Sequence, residues 1–129
     1  MNKTISNVAK IGWHFDNTYA RLPEIMLSRL NPVPVKKPKL IILNHDLSRE
    51  LGLNFSVINN NNLSSIFAGN LLPQESECIA QAYAGHQFGY FTMLGDGRAI
   101  IIGEHLDKNK DQHMQVQLVL LYILTFLQY

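Results

Sequence analysis

Apolar residues in the first part of this chain fall in short runs that proline and polar residues interrupt. Residues 13–30 begin with aromatic side chains and contain a Leu-Pro break. Residues 31–40, NPVPVKKPKL, hold three prolines and three lysines. Proline fixes φ and lacks a backbone donor, so this stretch predicts an extended arm and no regular helix. The apolar run that overlaps its end, LIILN, predicts a short strand.

Three stretches in the middle of the chain predict short helices. Asp46 is the expected N-cap of a helix over LSRELGL, and Gly52 is its expected end. Asn59–Asn62 predicts a loop or a low-complexity insertion. LSSIFAGN then predicts a second helix that is closed by Gly69 and the asparagine after it. Apolar positions cluster within QESECIAQAYA, residues 74–84, and predict a third helix there.

Beyond Gly89 the pattern changes from helices to strands. YFTML and AIIIGE are rich in strand formers, and the glycine-rich turn GDGR separates them. Together they predict a hairpin. HLDKNKDQ predicts a polar turn, and Met114–Leu118 predicts the start of a third strand. The whole pattern predicts an α+β protein in which an extended N-terminal arm and short helices lead into an antiparallel sheet.

Composition limits the class of protein without naming a function. The 129 residues suffice for one small domain or for part of a larger one. The net charge of +1 does not favour binding to nucleic acid or to a membrane surface. The single cysteine, Cys78, excludes an intrachain disulfide and fits a reducing compartment, and we interpret it as a small buried residue. The N-terminus has no long apolar run and does not predict a secretory signal. The apolar C-terminal run does not predict a membrane span, because it is shorter than about 20 residues.

The Gly-Asp-Gly-Arg turn is the strongest candidate for chemistry. Gly95 and Gly97 lack a Cβ, so backbone N–H groups there can approach an anion closely. Arg98 adds a fork of donors that suits a phosphate. Kinases use a glycine loop between two strands to cover phosphates. Asp-Gly is also a common hairpin turn, so an ordinary structural turn remains an alternative.

The other polar residues give no comparable site. His86 lacks partners at the spacing of a metal site, which favours a structural or hydrogen-bonding role. The same holds for the scattered His14, His45, His105 and His113. Glu104 could pair with Arg98 across the predicted hairpin, or it could be a solvated acid at the end of a strand.

The stretch AQAYAGHQFGYFTMLGDGRAIIIGE resembles the signature of the SelO/YdiU family. Upstream, FDNTYARLPE, NPVPVKKPKL, LNHDLSRELGL and FAGNLLP match the family in the same order. The resemblance covers about residues 13–118, so we expect 1–118 to be the N-terminal region of an incomplete kinase-fold domain. It implies that this region is part of a protein-kinase-like small lobe with a Gly-rich hairpin.

The resemblance also implies an activity. Members of the family are ATP- and Mg²⁺-dependent protein adenylyltransferases, which transfer AMP to Ser, Thr or Tyr hydroxyls of protein substrates. Gly95, Gly97 and Arg98 match positions that contact the nucleotide in the family. A bacterial-type member is expected in the cytoplasm, whereas eukaryotic relatives are mitochondrial.

The resemblance ends abruptly after Leu118. The family continues its third strand as Q-L-K-G-x-G, but Val119 stands where the phosphate-binding lysine is expected. The catalytic Asp and the metal ligands belong to later segments, so no catalytic or metal-binding residue is assigned here. We expect residues 119–129 to be an apolar tail from a frameshift or truncation, and the chain to be inactive by itself. A non-catalytic nucleotide- or partner-binding module and a non-functional remnant are the alternatives.

Overall fold

The structure is a computed structural model, and it describes residues 8–87, 89–94, 99–107 and 112–119. Within these ranges the helices are α1 (His45–Glu50), α2 (Asn60–Phe67) and the 3₁₀ turns Tyr19–Arg21, Glu24–Met26 and Phe55–Val57. The strands are β1 (Leu27–Arg29), β2 (Ile79–Gln81), β3 (Tyr83–Gln87), β4 (Tyr90–Leu94), β5 (Ala99–Asp107) and β6 (Gln112–Val119). Short helices and antiparallel sheets confirm the predicted α+β class. The assignment to a kinase-like small lobe stays a prediction.

The larger sheet is built around β5. Its four strands lie in the order β1-β2-β5-β6, and every pairing is antiparallel. The β5–β6 ladder runs from the pair Ala99 and Val119 to the pair Asp107 and Gln112. Ile100–Ile102 are almost fully buried, as expected of a strand with neighbours along both edges. This ladder confirms the predicted third strand, and it shows that β5 extends into the predicted polar turn HLDKNKDQ.

The smaller sheet corrects the predicted hairpin. The sequences YFTML and AIIIGE do form strands, β4 and β5, but among the described residues these two strands belong to different sheets. β4 pairs with β3 instead, in a ladder that runs from Tyr83 and Leu94 to Gln87 and Tyr90. The sequence-based prediction missed β3 because a helix was expected up to residue 84.

The predicted helix within residues 74–84 is wrong. Ile79–Gln81 forms β2, which pairs with β1 and, through Ile79, with β5. Ile79 and Ala80 are both buried. A short apolar run has no period that separates a buried strand from a buried helix. The neighbouring strands therefore decide the conformation here, and they are distant in sequence.

Asparagine side chains begin α1 and α2. The Asn44 side chain accepts a hydrogen bond from the Leu47 backbone N–H at 2.9 Å, so Asn44 and not Asp46 is the N-cap of α1. Asn and Asp cap helices about equally well, and the sequence Asn-His-Asp offers both. Which of these two residues caps the helix therefore depends on the path of the segment that precedes it.

The asparagine run is helical from its second residue, which corrects the predicted loop at Asn59–Asn62. The Asn59 side chain accepts a hydrogen bond from the Asn62 backbone N–H at 2.8 Å and starts α2. The predicted end of this helix is confirmed, because Gly69 follows the last turn with a φ of +74°.

The arm over residues 31–40 is confirmed as non-helical, but the predicted strand LIILN is wrong. Residues 38–44 form neither a helix nor a strand. Ile41 and Ile42 are each 85% exposed, whereas Leu40 and Leu43 are partly buried against the core. Two leucines thus pack this run against the core, and two isoleucines are exposed to solvent.

Among the described residues, the apolar core includes two clusters. The first joins the N-terminal segment, the turn after α1 and helix α2, with members Val8, Ile11, Leu53, Phe55, Ile58, Leu63 and Ile66. The second lies under the larger sheet, with members Ala20, Leu27, Ile79 and Ile101. None of the helices in the described ranges has the length and apolar character needed to cross a membrane.

Candidate functional site

Two strands hold the ends of the candidate phosphate-binding turn. Gly95, Gly97 and Arg98 themselves lie outside the described residues, so their roles stay predictions. β4 ends at Leu94 and β5 begins at Ala99, so the turn connects the smaller sheet to the central strand of the larger one. The isoleucines Ile100–Ile102, which follow the turn in β5, are buried.

Position 119 lies at the same end of the sheet as this turn. The backbone of Val119 is directly opposite Ala99 in the β5–β6 ladder, and Ala99 follows Arg98 in sequence. Directly opposed residues in an antiparallel ladder have Cα atoms about 4.5–5.5 Å apart. The position at which the resemblance expects a lysine is therefore opposite the residue that follows Arg98 in sequence. A valine there brings neither a charge nor a hydrogen-bond donor to a phosphate.

Glu104 is not the solvated acid that its position at the end of a strand suggested, whereas its pairing with Arg98 lies outside the described residues and stays a prediction. It is 6% exposed, which excludes a solvated acid. Its carboxylate accepts hydrogen bonds from the Thr18 hydroxyl, at 3.0 and 3.2 Å, and from the Tyr19 backbone N–H at 2.6 Å. The backbone N–H of Glu104 also donates to Oδ1 of Asn17 at 3.0 Å. Glu104 is thus a buried anchor for the N-terminal segment.

Gly103 allows that segment to approach β5 closely. A Cβ added at Gly103 would lie 2.6 Å from Cδ1 and 2.8 Å from Cε1 of Phe15. Phe15 in turn forms an isolated antiparallel bridge with His105. Residues 14–17 therefore lie along β5, and a glycine is needed where the Phe15 ring crosses it. The Gly-Glu pair that ends AIIIGE serves this contact.

His105 is a hydrogen-bonding histidine, as the sequence favoured. It is 2% exposed, its Nδ1 accepts a hydrogen bond from the His14 backbone N–H at 3.2 Å, and its Nε2 lies 2.9 Å from the Leu51 carbonyl oxygen. Because Nδ1 accepts, the ring proton is on Nε2, which donates to Leu51. His86 by contrast is exposed, and its ring contacts the Phe91 ring with centroids 6.0 Å apart.

Cys78 is partly buried, and burial raises the pKa of its thiol. A raised pKa keeps the sulfur protonated, which opposes a nucleophilic role. Among the described residues, no three His, Cys, Asp or Glu side chains come close enough to hold a metal ion. The described part of the chain therefore offers no ligand set for Mg²⁺.

One apolar cavity lies away from the candidate turn. It has a volume of about 280 Å³, and its walls include Trp13, Phe55, Phe67, His105 and Met114. Met114 pairs with His105, toward the end of the β5–β6 ladder that is remote from Ala99 and Val119. The cavity is thus not part of a phosphate site.

Comparison with known proteins identifies relatives of this chain. The family model described as protein adenylyltransferase SelO matches residues 10–118. A protein nucleotidyltransferase YdiU from Pelagibacter ubique is 63% identical over 102 residues, which cover 79% of this chain and 21% of the relative. Its counterpart from Nitrosococcus oceani is 60% identical over 96 residues, covering 74% of this chain and 20% of the relative.

A third relative extends the match along the chain. The YdiU protein of Syntrophotalea carbinolica is 48% identical over 118 residues, which cover 92% of this chain and 24% of the relative. The chain thus spans between a fifth and a quarter of the length of these relatives. These matches confirm the resemblance found in the sequence, and the chain belongs to the SelO family of protein adenylyltransferases.

Proposed function

We propose that this chain supplies the N-terminal, nucleotide-contacting part of an ATP- and Mg²⁺-dependent protein adenylyltransferase. In this proposal the turn of Gly95, Gly97 and Arg98 binds the phosphates of ATP, and AMP passes to a Ser, Thr or Tyr hydroxyl of a protein substrate. Pyrophosphate is the leaving group. The observation that supports the proposal is the pairing of Val119 with Ala99, the residue that follows Arg98, at one end of the β5–β6 ladder.

Binding of a triphosphate depends on charge. A triphosphate needs several donors placed together, because each charge-assisted hydrogen bond offsets part of the loss of water around the anion. Backbone N–H groups of a glycine turn, one guanidinium and a cation on the adjacent strand would provide such a set. The sequence of this chain contains the glycine turn and the guanidinium of Arg98, but Val119 stands where the cation is expected.

It follows that the 129-residue chain transfers no AMP by itself. Its described residues hold no ligand set for Mg²⁺, and position 119 lacks a cation. In the proposal, the relatives supply those groups from sequence beyond the matched stretch, which is about four-fifths of the Pelagibacter ubique protein.

A chimera tests the proposal. Residues 10–118 of this chain, which the family model matches, replace the corresponding stretch of the Pelagibacter ubique relative, so that the relative's own sequence follows residue 118. The chimera is incubated with Mg²⁺ and with ATP labelled on either the α- or the γ-phosphate. We expect the α-label, and not the γ-label, to appear on protein hydroxyl groups.

Two variants sharpen this test. Arg98→Ala should reduce label transfer by about tenfold or more, because a hydrogen bond to a charged group contributes about 1.5–3 kcal/mol. Arg49→Ala is the matched control, since Arg49 is an exposed arginine on α1 that pairs with Asp46. Transfer of the γ-label, or equal activity of the Arg98→Ala chimera, would refute the proposal.

A further inference from the structure

The two-stranded ribbon formed by β3 and β4, residues 83–87 and 90–94, has an uncovered apolar face. Ala84 pairs with Met93, and His86 pairs with Phe91. Opposed side chains of an antiparallel ladder lie on one face, and so do residues two apart along a strand. These four residues therefore share a face, which we call the Phe91 face, and all four are exposed.

The exposure of this face is large for apolar side chains. Phe91 is 63% exposed and Met93 is 70% exposed. Among the described residues, neither strand of the ribbon pairs with a strand of the larger sheet. A two-stranded ribbon in water is marginal by itself and gains stability when an apolar face is covered. A contiguous exposed patch of aromatic and methionine side chains marks an interaction surface.

We infer that the Phe91 face is the docking surface for an apolar surface on the part of a SelO-family polypeptide that lies beyond the matched stretch. About four-fifths of the Pelagibacter ubique relative lies outside that stretch, so the family provides ample chain to cover the ribbon. The inference rests on the proposed function in one respect. The rest of the enzyme has to approach the turn to complete the site, and the ribbon adjoins the turn at Leu94.

Oxidation of Met93 by dilute hydrogen peroxide tests this inference. The rate is measured by mass spectrometry in the 129-residue chain and in the chimera described above. We expect oxidation of Met93 to be about tenfold slower or more in the chimera, because methionine oxidation follows exposure. Rates within twofold of each other would overturn the inference.

Varying the concentration of the 129-residue chain tests whether a second copy of the chain covers the Phe91 face instead. If Met93 becomes protected as the concentration of the chain alone rises, a second copy covers the face and the inference is wrong. If the rate is independent of concentration and drops only in the chimera, the remainder of the polypeptide covers it. Neither result depends on ATP, so protection of Met93 in a chimera without AMP transfer would uphold docking and refute the proposed function.

A pair of matched variants tests which face of the ribbon is covered. Phe91→Ser should lower the Tm of the chimera and leave the Tm of the 129-residue chain unchanged. Tyr90→Ser is the control, because Tyr90 is also 63% exposed but lies on the opposite face of the same strand. Equal loss of Tm for both variants in the chimera would overturn the assignment of the face.

Discussion

The carboxylate of Glu104 accepts a hydrogen bond from the backbone N–H of Tyr19 at 2.6 Å, across 85 residues of sequence. The same carboxylate accepts from the Thr18 hydroxyl. The bond joins the first 3₁₀ turn of the chain to the middle of the central strand. It holds the N-terminal segment against β5, beside the isolated bridge of Phe15 with His105.

Glu104→Ala should destabilise the chain by about 1–3 kcal/mol, because it removes the buried carboxylate that accepts part-buried hydrogen bonds from the Thr18 hydroxyl and the Tyr19 backbone N–H. Urea unfolding measures this loss. Glu77→Ala is the control, since Glu77 forms an exposed ion pair with Arg29 at 3.3 Å and such pairs contribute about 0–1 kcal/mol. Equal losses for the two variants would show that the Glu104 carboxylate does not anchor the segment.

Gly103→Ala should be destabilising because the new methyl group would overlap the Phe15 ring, 2.6 Å away at its nearest atom. Overpacking of this kind costs about 1–3 kcal/mol. Gly85→Ala is the matched control, because a Cβ at Gly85 meets nothing within 4 Å. Thermal unfolding of the two variants measures the difference. If both variants melt together, the Phe15 ring does not lie against the glycine.

Cys78 should react slowly with iodoacetamide near neutral pH. The thiolate is the reactive form, and burial raises the pKa of this thiol in the folded chain. The alkylation rate of the folded chain should therefore rise at a higher pH than that of the chain unfolded in urea, where the same cysteine is solvated. A folded-state midpoint at or below the unfolded one would contradict this environment.

Val119→Lys should strengthen the binding of ATP–Mg²⁺ to the 129-residue chain, because it puts a cation opposite Ala99, beside the turn. An added hydrogen bond from a charged group predicts about a tenfold gain in affinity, equivalent to ~1.4 kcal/mol. Calorimetry measures it. Val119→Gln is the control for side-chain length without charge. Gains of the same size in both variants would argue against a phosphate beside position 119.

The sequence predicted those features that depend on local chemistry. The arm over residues 31–40 lacks helix because proline forbids it, and α2 ends before Gly69 because glycine adopts a positive φ. The strands β4 and β5 follow from β-branched and aromatic residues on either side of a glycine turn. Each of these results needs only a few neighbouring residues.

The features that were predicted wrongly depend on distant partners. Ile79–Gln81 is a strand because β1 and β5 flank it, although the local pattern also fits a helix. Glu104 is buried because Thr18 and Tyr19 reach it, and no signal near residue 104 indicates that. The predicted pairing of β4 with β5 was wrong for the same reason. A glycine turn shows that the chain changes direction, but it does not determine which strand lies beside it.

The candidate site followed from the motif and not from periodicity. The spacing of Gly95, Gly97 and Arg98 is compatible with an ordinary turn, and only the longer resemblance pointed to a nucleotide. The structure adds the position of residue 119 relative to that turn. This relationship could not be derived from the sequence, because it depends on the register of β5 against β6.

The affinity of the chimera for ATP–Mg²⁺, measured by calorimetry with and without Arg98→Ala, tests the central claim most directly. The account predicts saturable binding that becomes about tenfold weaker or more in the variant, because a charge-assisted contact to phosphate is lost. An unchanged dissociation constant would contradict the account and leave the Gly-Asp-Gly-Arg segment as an ordinary connection between two sheets.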